Sequence, residues 1–196
     1  GLDLASTDDI TALALFFPAL PHPVLRLFFW VPEAKIKQKA DRVDYRLWVQ
    51  QGFITVTEGD VVDTDYLSKD IERIFHLYRV KNLTYDPWMA TNGVIQHLEK
   101  VGYYNILDPI AQTITYLSEP TKDLQKRLQR RELDLMNNPV LRWMFRNVAI
   151  YTDPNMNIRL NKAKSTEKID GCAASVNAIA GYISKTANTR EAYAGG

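Results

Sequence analysis

The sequence predicts an α/β domain, a sheet covered by helices, and three observations point there. Two apolar runs, Ile10–Phe17 and Val24–Trp30, are separated by Pro18, Pro21 and Pro23 and read as adjacent strands. Strand-like and helix-like segments then alternate along the chain. Leu67, Ile71, Ile74, Phe75 and Tyr78 recur at spacings of three and four, the apolar face of a helix packed on something flat.

Taken in order, Gly1–Ala5 is a first strand, and Ser6–Thr7–Asp8–Asp9 turns the chain so that Ile10–Phe17 returns beside it. Val24–Trp30 follows. Pro32 opens a helical pattern that ends near Gly52, and Phe53–Val56 is a short strand. Asp63 or Thr64 caps the next helix. Leu83–Tyr85 is a strand stopped by Pro87, which leaves Asp86 at its C-terminal end. Ala90–Lys100 is a helix and Tyr103–Leu107 a strand. Lys122–Leu135 is a basic helix and Pro139–Phe145 a short one. Val148–Thr152 and Ile158–Leu160 form a hairpin. Ile169–Ile183 is a helix of small residues, which implies close packing on a flat surface. The expected domain covers 1–183, with a flexible tail over 184–196.

Composition narrows the function. Across 196 residues, 24 Lys and Arg balance 23 Asp and Glu, a net charge of +1, so nucleic-acid binding requires a local basic patch. One cysteine, Cys172, excludes an internal disulfide and a thiolate metal cage. No run approaches the roughly 18 apolar residues of a membrane span. The opening on Gly1–Leu2–Asp3, at the edge of a strand, predicts a domain excised from a longer chain.

Three acids stand out by context. Asp3 ends or interrupts the first strand, Asp86 lies at the end of Leu83–Tyr85, and Asp170 at the start of the last helix. More than eighty residues separate each from the next, so only a fold can unite them. Converging carboxylates repel unless a cation lies between them, and hard oxygen donors select Mg²⁺ or Mn²⁺. The structural reading stands beside this one: an Asp at a strand end is a common turn residue, and Asp170 suits a helix cap.

The basic helix carries a stripe. Lys122, Lys126 and Arg130 are spaced by four, as are Arg127 and Arg131, and the stripe shows few counter-charges in sequence. Such a stripe suits phosphate contacts that position DNA without reading it, or it is a solvated face. Leu124 and Leu128 face the other way. No glycine-rich phosphate loop is present. His22, His76 and His97 share no metal-ligand spacing, and Cys172, among alanines, reads as buried filler.

Six segments, in order, resemble the nuclease domain of the tailed-phage terminase large subunit. They are Gly1–Ala12, Phe29–Pro32, Tyr85–Trp88, Leu117–Lys122, Asn138–Trp143 and Lys168–Ala174. The resemblance implies a ribonuclease-H-like fold, a central mixed sheet flanked by helices. It implies a metal-dependent endonuclease that cuts concatemeric double-stranded viral DNA during packaging, by two-metal-ion hydrolysis. Asp3, Asp86 and Asp170 resemble the metal-binding and catalytic carboxylates, with Asp3 serving both ions. The implied cofactors are two Mg²⁺ or Mn²⁺ ions. Lys122, Lys126, Arg127, Arg130 and Arg131 are the DNA-contact candidates. Implied partners are double-stranded DNA, an ATPase domain N-terminal in the same polypeptide, the portal protein and the terminase small subunit, with no membrane. The implied place of action is the host cytoplasm, at the procapsid portal. The stretch Arg131–Asn137 departs from the resemblance, since many relatives carry a His there. A junction resolvase or transposase, or a non-catalytic DNA-docking module, is the alternative on the acids alone.

Overall fold

The computed structural model describes residues 1–4, 10–37, 45–89 and 93–194. Strands β1 (Leu2–Asp3), β2 (Thr11–Phe17), β3 (Val24–Pro32) and β4 (Thr55–Thr57) form one sheet in that order. The first three are antiparallel and β4 runs parallel to β3. The expected turn at Ser6–Asp9 lies outside the described residues. So does the middle of the helical stretch after Pro32, which otherwise shows α1 (Glu33–Lys37) and α2 (Tyr45–Gln50).

β5 (Leu83–Tyr85) pairs in parallel with β6 (Leu107–Pro109) and comes within 8 Å of β1, Cα to Cα. The strands sort their side chains by alternation. Ala12, Ala14, Phe29 and Val31 point into one core, while Leu13, Leu15 and Trp30 point into a second. Helices α3 (Thr64–Leu77) and α4 (Gly93–Leu98) cover the second core. The first is covered by α5 (Ile114–Gln129), α6 (Pro139–Asn147) and α7 (Asp170–Ala194). Each such helix begins where chemistry allows. Asp63 caps α3 by accepting from the Asp65 and Tyr66 amides, and Asn138 caps α6 ahead of Pro139.

The small-residue helix packs as its composition demands. A Cβ on Gly171 would lie 2.8 Å from Met144 Sδ and from the Phe29 ring, and one on Gly181 2.8 Å from Thr84 Cγ2. α7 lies across β1, β2 and β5, and its backbone stays helical beyond Ile183, through Ala194.

Besides the longer α7, and β4 at Thr55–Thr57 in place of Phe53–Val56, two boundaries differ from expectation in ways a contact explains. Tyr103–Leu107 is not a strand. A wide helical turn over Glu99–Tyr103 contains Gly102 at φ 99°, Tyr104–Ile106 make one 3₁₀ turn, and the strand begins at Leu107. Tyr103 instead packs edge-on against Phe75, 5.2 Å between ring centres, so its apolar surface serves α3 rather than a ladder. The basic helix starts at Ile114, capped by Thr113, and ends at Gln129 rather than Leu135. Pro120 sits inside it, buried, although it cannot donate to the Tyr116 carbonyl. Arg131, at φ 56°, is already outside.

After α6, β7 (Ile150–Thr152) and β8 (Ile158–Leu160) form the expected hairpin, closed by Asp153, which accepts from the Asn155 and Asn157 amides.

Candidate active site

Asp3 closes β1, and Asp170 opens α7. Asn177, two turns further along α7, explains why they meet. Its side chain donates to the Leu2 carbonyl at 3.0 Å, and its own carbonyl accepts from the Thr84 hydroxyl. One helix residue thus pins β1 and β5 together. Asp170 lies about 10.5 Å back along the same helix face, at 1.5 Å rise per residue.

Lys162, from the loop after β8, lies between the two acids. Its Nζ donates to Asp3 Oδ2 at 2.9 Å and to Asp170 Oδ1 at 3.3 Å. Burial acts to lower the pKa of this ammonium, but the Asp3 and Asp170 carboxylates together outweigh it and raise the pKa well above the ordinary lysine value. The lysine is therefore charged at any working pH. Lys162 is not among the residues that the sequence singles out. It stands eight residues before Asp170 but 159 residues from Asp3, and nothing in local spacing marks it.

Asp86 follows β5 directly, and β5 neighbours β1. Its Oδ1 accepts from the Trp88 amide at 3.0 Å, a local turn bond. Asp86 is not drawn into the same side-chain group: among the described residues no three His, Cys, Asp or Glu sit together closely enough to hold a metal ion. The structure brings two of the three expected acids onto the Lys162 ammonium and places the third just past the end of β5.

The charged stripe on α5 is answered more than its sequence suggested. Arg127 donates to Asp123 at 2.7 Å and lies over the Phe16 ring at 5.3 Å. Arg130 is 3.8 Å from Glu132. Lys122 helps hold the Asp153 carboxyl below its usual range, a shift due first to the Asn157 side chain. Lys122, Lys126, Arg130 and Arg131 remain at the surface, while Leu124 is buried on the opposite face and Leu128 packs there too. His76 and His97 both face Glu72, at 3.6 and 2.8 Å. Cys172 is fully buried and its thiol pKa is pushed far up, by burial first and then by Asp170, so it is no nucleophile.

Residues 1–185 match the family described as terminase large subunit, endonuclease domain. The chain belongs to that family. It is 27% identical to the terminase large subunit of Enterobacteria phage HK97 over 192 residues, 94% of this chain and 38% of that protein. It is 28% identical over 161 residues to protein YmfN of Escherichia coli K12, covering 77% of this chain and 34% of that one. The crystal structure of the HK97 large terminase superposes with a TM-score of 0.84 at 25% identity, over 91% of this chain and 38% of that chain. The large terminase nuclease from thermophilic phage G20c matches at a TM-score of 0.59 and 10% identity, over 91% and 78%. The chain thus spans little more than a third of the curated relatives. The endonuclease domain has the ribonuclease-H-like fold that the sequence resemblance implied, and among the described residues no helix is long and apolar enough to cross a membrane. Membership places it among nuclease domains.

Proposed function

We propose that the endonuclease domain hydrolyses phosphodiester bonds of concatemeric double-stranded viral DNA during genome packaging, with Asp3, Asp170 and Asp86 as its cation-binding carboxylates. The observation that carries this reading is the convergence of Asp3 and Asp170 on the Lys162 ammonium. Donor chemistry fits a divalent cation, since hard carboxylate oxygens from two elements already enclose an ammonium. Asp3 and Asp170 would hold one Mg²⁺ or Mn²⁺, and Asp3 with Asp86 a second. Bound there, such ions neutralise charge on the phosphodiester and make water a competent nucleophile near neutral pH.

The chain's own residues do the positioning. Asn177 holds β1 against β5 and so sets the separation of the strands that end at Asp3 and Asp86. Asp170 is only 9% exposed and opens α7, so its backbone is placed by the helix that Asn177 seats on β1 and β5. Exposed Lys122, Lys126, Arg130 and Arg131 bind the DNA backbone through charge, which favours no sequence. In the longer polypeptide an N-terminal ATPase domain would feed the duplex to this site, at the procapsid portal in the host cytoplasm, with the portal protein and terminase small subunit as further partners.

Supercoiled plasmid incubated with Mn²⁺ tests the reading. Nicked and then linear forms with 5′-phosphate and 3′-hydroxyl ends are expected, and Asp3→Ala or Asp170→Ala should each cost at least about a hundredfold. Cleavage that persists in excess chelator would sink it.

A further inference from the structure

Lys162 is not a loose surface lysine that happens to touch two acids. Its backbone is built into a tight loop between β8 and α7. The Asn161 carbonyl accepts from the Ser165 amide at 3.0 Å and from its hydroxyl at 2.7 Å, and Asn161 Oδ1 accepts from the Lys164 amide at 3.2 Å. The loop is tied to the end of α6. The Asn161 amide donates to the Ala149 carbonyl at 2.8 Å, and the Ala149 amide donates to the Ser165 hydroxyl at 3.0 Å. Thr166 bonds Asn147 through both backbone and side chain. The stem of Lys162 therefore leaves from a fixed point.

Its head is fixed more lightly. The side chain is 59% exposed, against 17% for Asp3 and 9% for Asp170. The acids are held by strand and helix, while the ammonium enters from solvent on a flexible four-carbon stem. Ion pairs with that much water access are weak, because solvent screens them and the long side chain loses entropy in making them. A cleft of about 350 Å³ lies beside Lys162, lined by Ser165, Glu167, Lys168 and Asp170.

A divalent cation between the same two oxygens cannot share the place with an ammonium. Two positive charges would meet at contact distance, and the lysine is the one able to move. Resting on the proposed cation role of Asp3 and Asp170, we infer that Lys162 is a built-in counter-ion, which holds the two carboxylates together in the metal-free domain and is displaced when a divalent cation binds. Lys162 thereby sets the cation affinity of the site: it keeps the carboxylates from splaying apart and weakens metal uptake by the strength of the contacts that must break.

The test needs no DNA and no activity. Mn²⁺ binding to the 196-residue chain is titrated by the electron paramagnetic resonance of free Mn²⁺, and melting is followed in chelator and in Mn²⁺. The variants are Lys162→Met, Lys162→Gln, Lys162→Arg and, as a control on the site, Asp170→Asn. Losing two contacts of about 0.5–0.7 kcal/mol each should tighten Mn²⁺ binding by about five- to tenfold in Lys162→Met and Lys162→Gln. Those two should also melt lower than wild type in chelator and gain more from Mn²⁺, while Lys162→Arg shows no tightening. Unchanged or weaker Mn²⁺ binding in both neutral variants overturns the counter-ion role. If wild type loses Mn²⁺ on Asp170→Asn but the lysine variants gain nothing, this inference alone falls. If Asp170→Asn binds Mn²⁺ as wild type does, the proposed cation site falls with it.

Discussion

The endonuclease domain carries two concentrations of charge, and they are made differently. On α5, Lys122, Asp123, Lys126, Arg127 and Arg130 are neighbours because a helix returns to the same face every three or four residues, and the Asp123–Arg127 pair is an i,i+4 contact. At the β1–α7 junction, Asp3 and Asp170 meet Lys162 across 159 and 8 residues, on a strand end, a helix start and a loop. The first group would survive in an isolated helix. The second exists only while the sheet, α6 and α7 are assembled. Local charge is written by period, and the converging carboxylates are written by topology, which is why the second group is the better candidate for chemistry.

The sharpest way to break this contrast is at Asp86. It belongs to the assembled group in the proposed function but sits in a local turn with Trp88 in the structure. Asp86→Ala, assayed beside Asp3→Ala and Asp170→Ala on supercoiled plasmid with Mn²⁺, should lose at least about a hundredfold. Near-full activity would confine the site to the β1–α7 pair. Asp86→Asn, which keeps the oxygen that the Trp88 amide uses, should melt within a degree or so of wild type in chelator, and a large drop would make Asp86 a structural residue.

Gly171→Val attacks the assembly itself. The added side chain meets Met144 Sδ and the Phe29 ring at 2.8 Å, so α7 must shift or the core must open. A loss of about 1–3 kcal/mol in denaturant unfolding is expected, since overpacking a tight core costs that much. A stability unchanged within error would mean α7 is not seated on the sheet as closely as the structure shows.

The α5 stripe is probed by Lys126→Ala combined with Arg130→Ala. Duplex binding should weaken about equally for unrelated sequences, and the slope of log affinity against log salt should fall by about two. Arg127→Ala should instead act mainly on stability, because its guanidinium is engaged by Asp123 and Phe16. An equal effect of all three on the salt slope would erase that division.

The smallest effect belongs to Glu72. Its carboxyl pKa is held below the usual range, first by the hydrogen bond from His97 and with help from His76. A carboxylate whose folded pKa is lowered adds stability that is fully present above its unfolded value, about 4.3, and lost as pH falls through the folded value. Glu72→Gln should therefore flatten the acid limb of a melting-temperature profile slightly and leave the neutral region nearly alone.

Much of the architecture was legible in the residues. The apolar runs Ile10–Phe17 and Val24–Trp30, the Asp63 cap, the Pro87 stop and the small residues of α7 are local signals, and each acts over a few residues. Boundaries failed where a tertiary contact overrode a local cue. The basic helix reads as starting at Lys122 but begins at Ile114 with Pro120 buried inside it, and Tyr103 reads as a strand residue but packs on Phe75. The acids at strand and helix ends could be named one at a time, because turn and cap positions are local. That Asp3 and Asp170 share one cation could not, because a separation of many tens of residues carries no period. Only the seating of α7 on β1 and β5 through Asn177, and the loop that delivers Lys162, decided it.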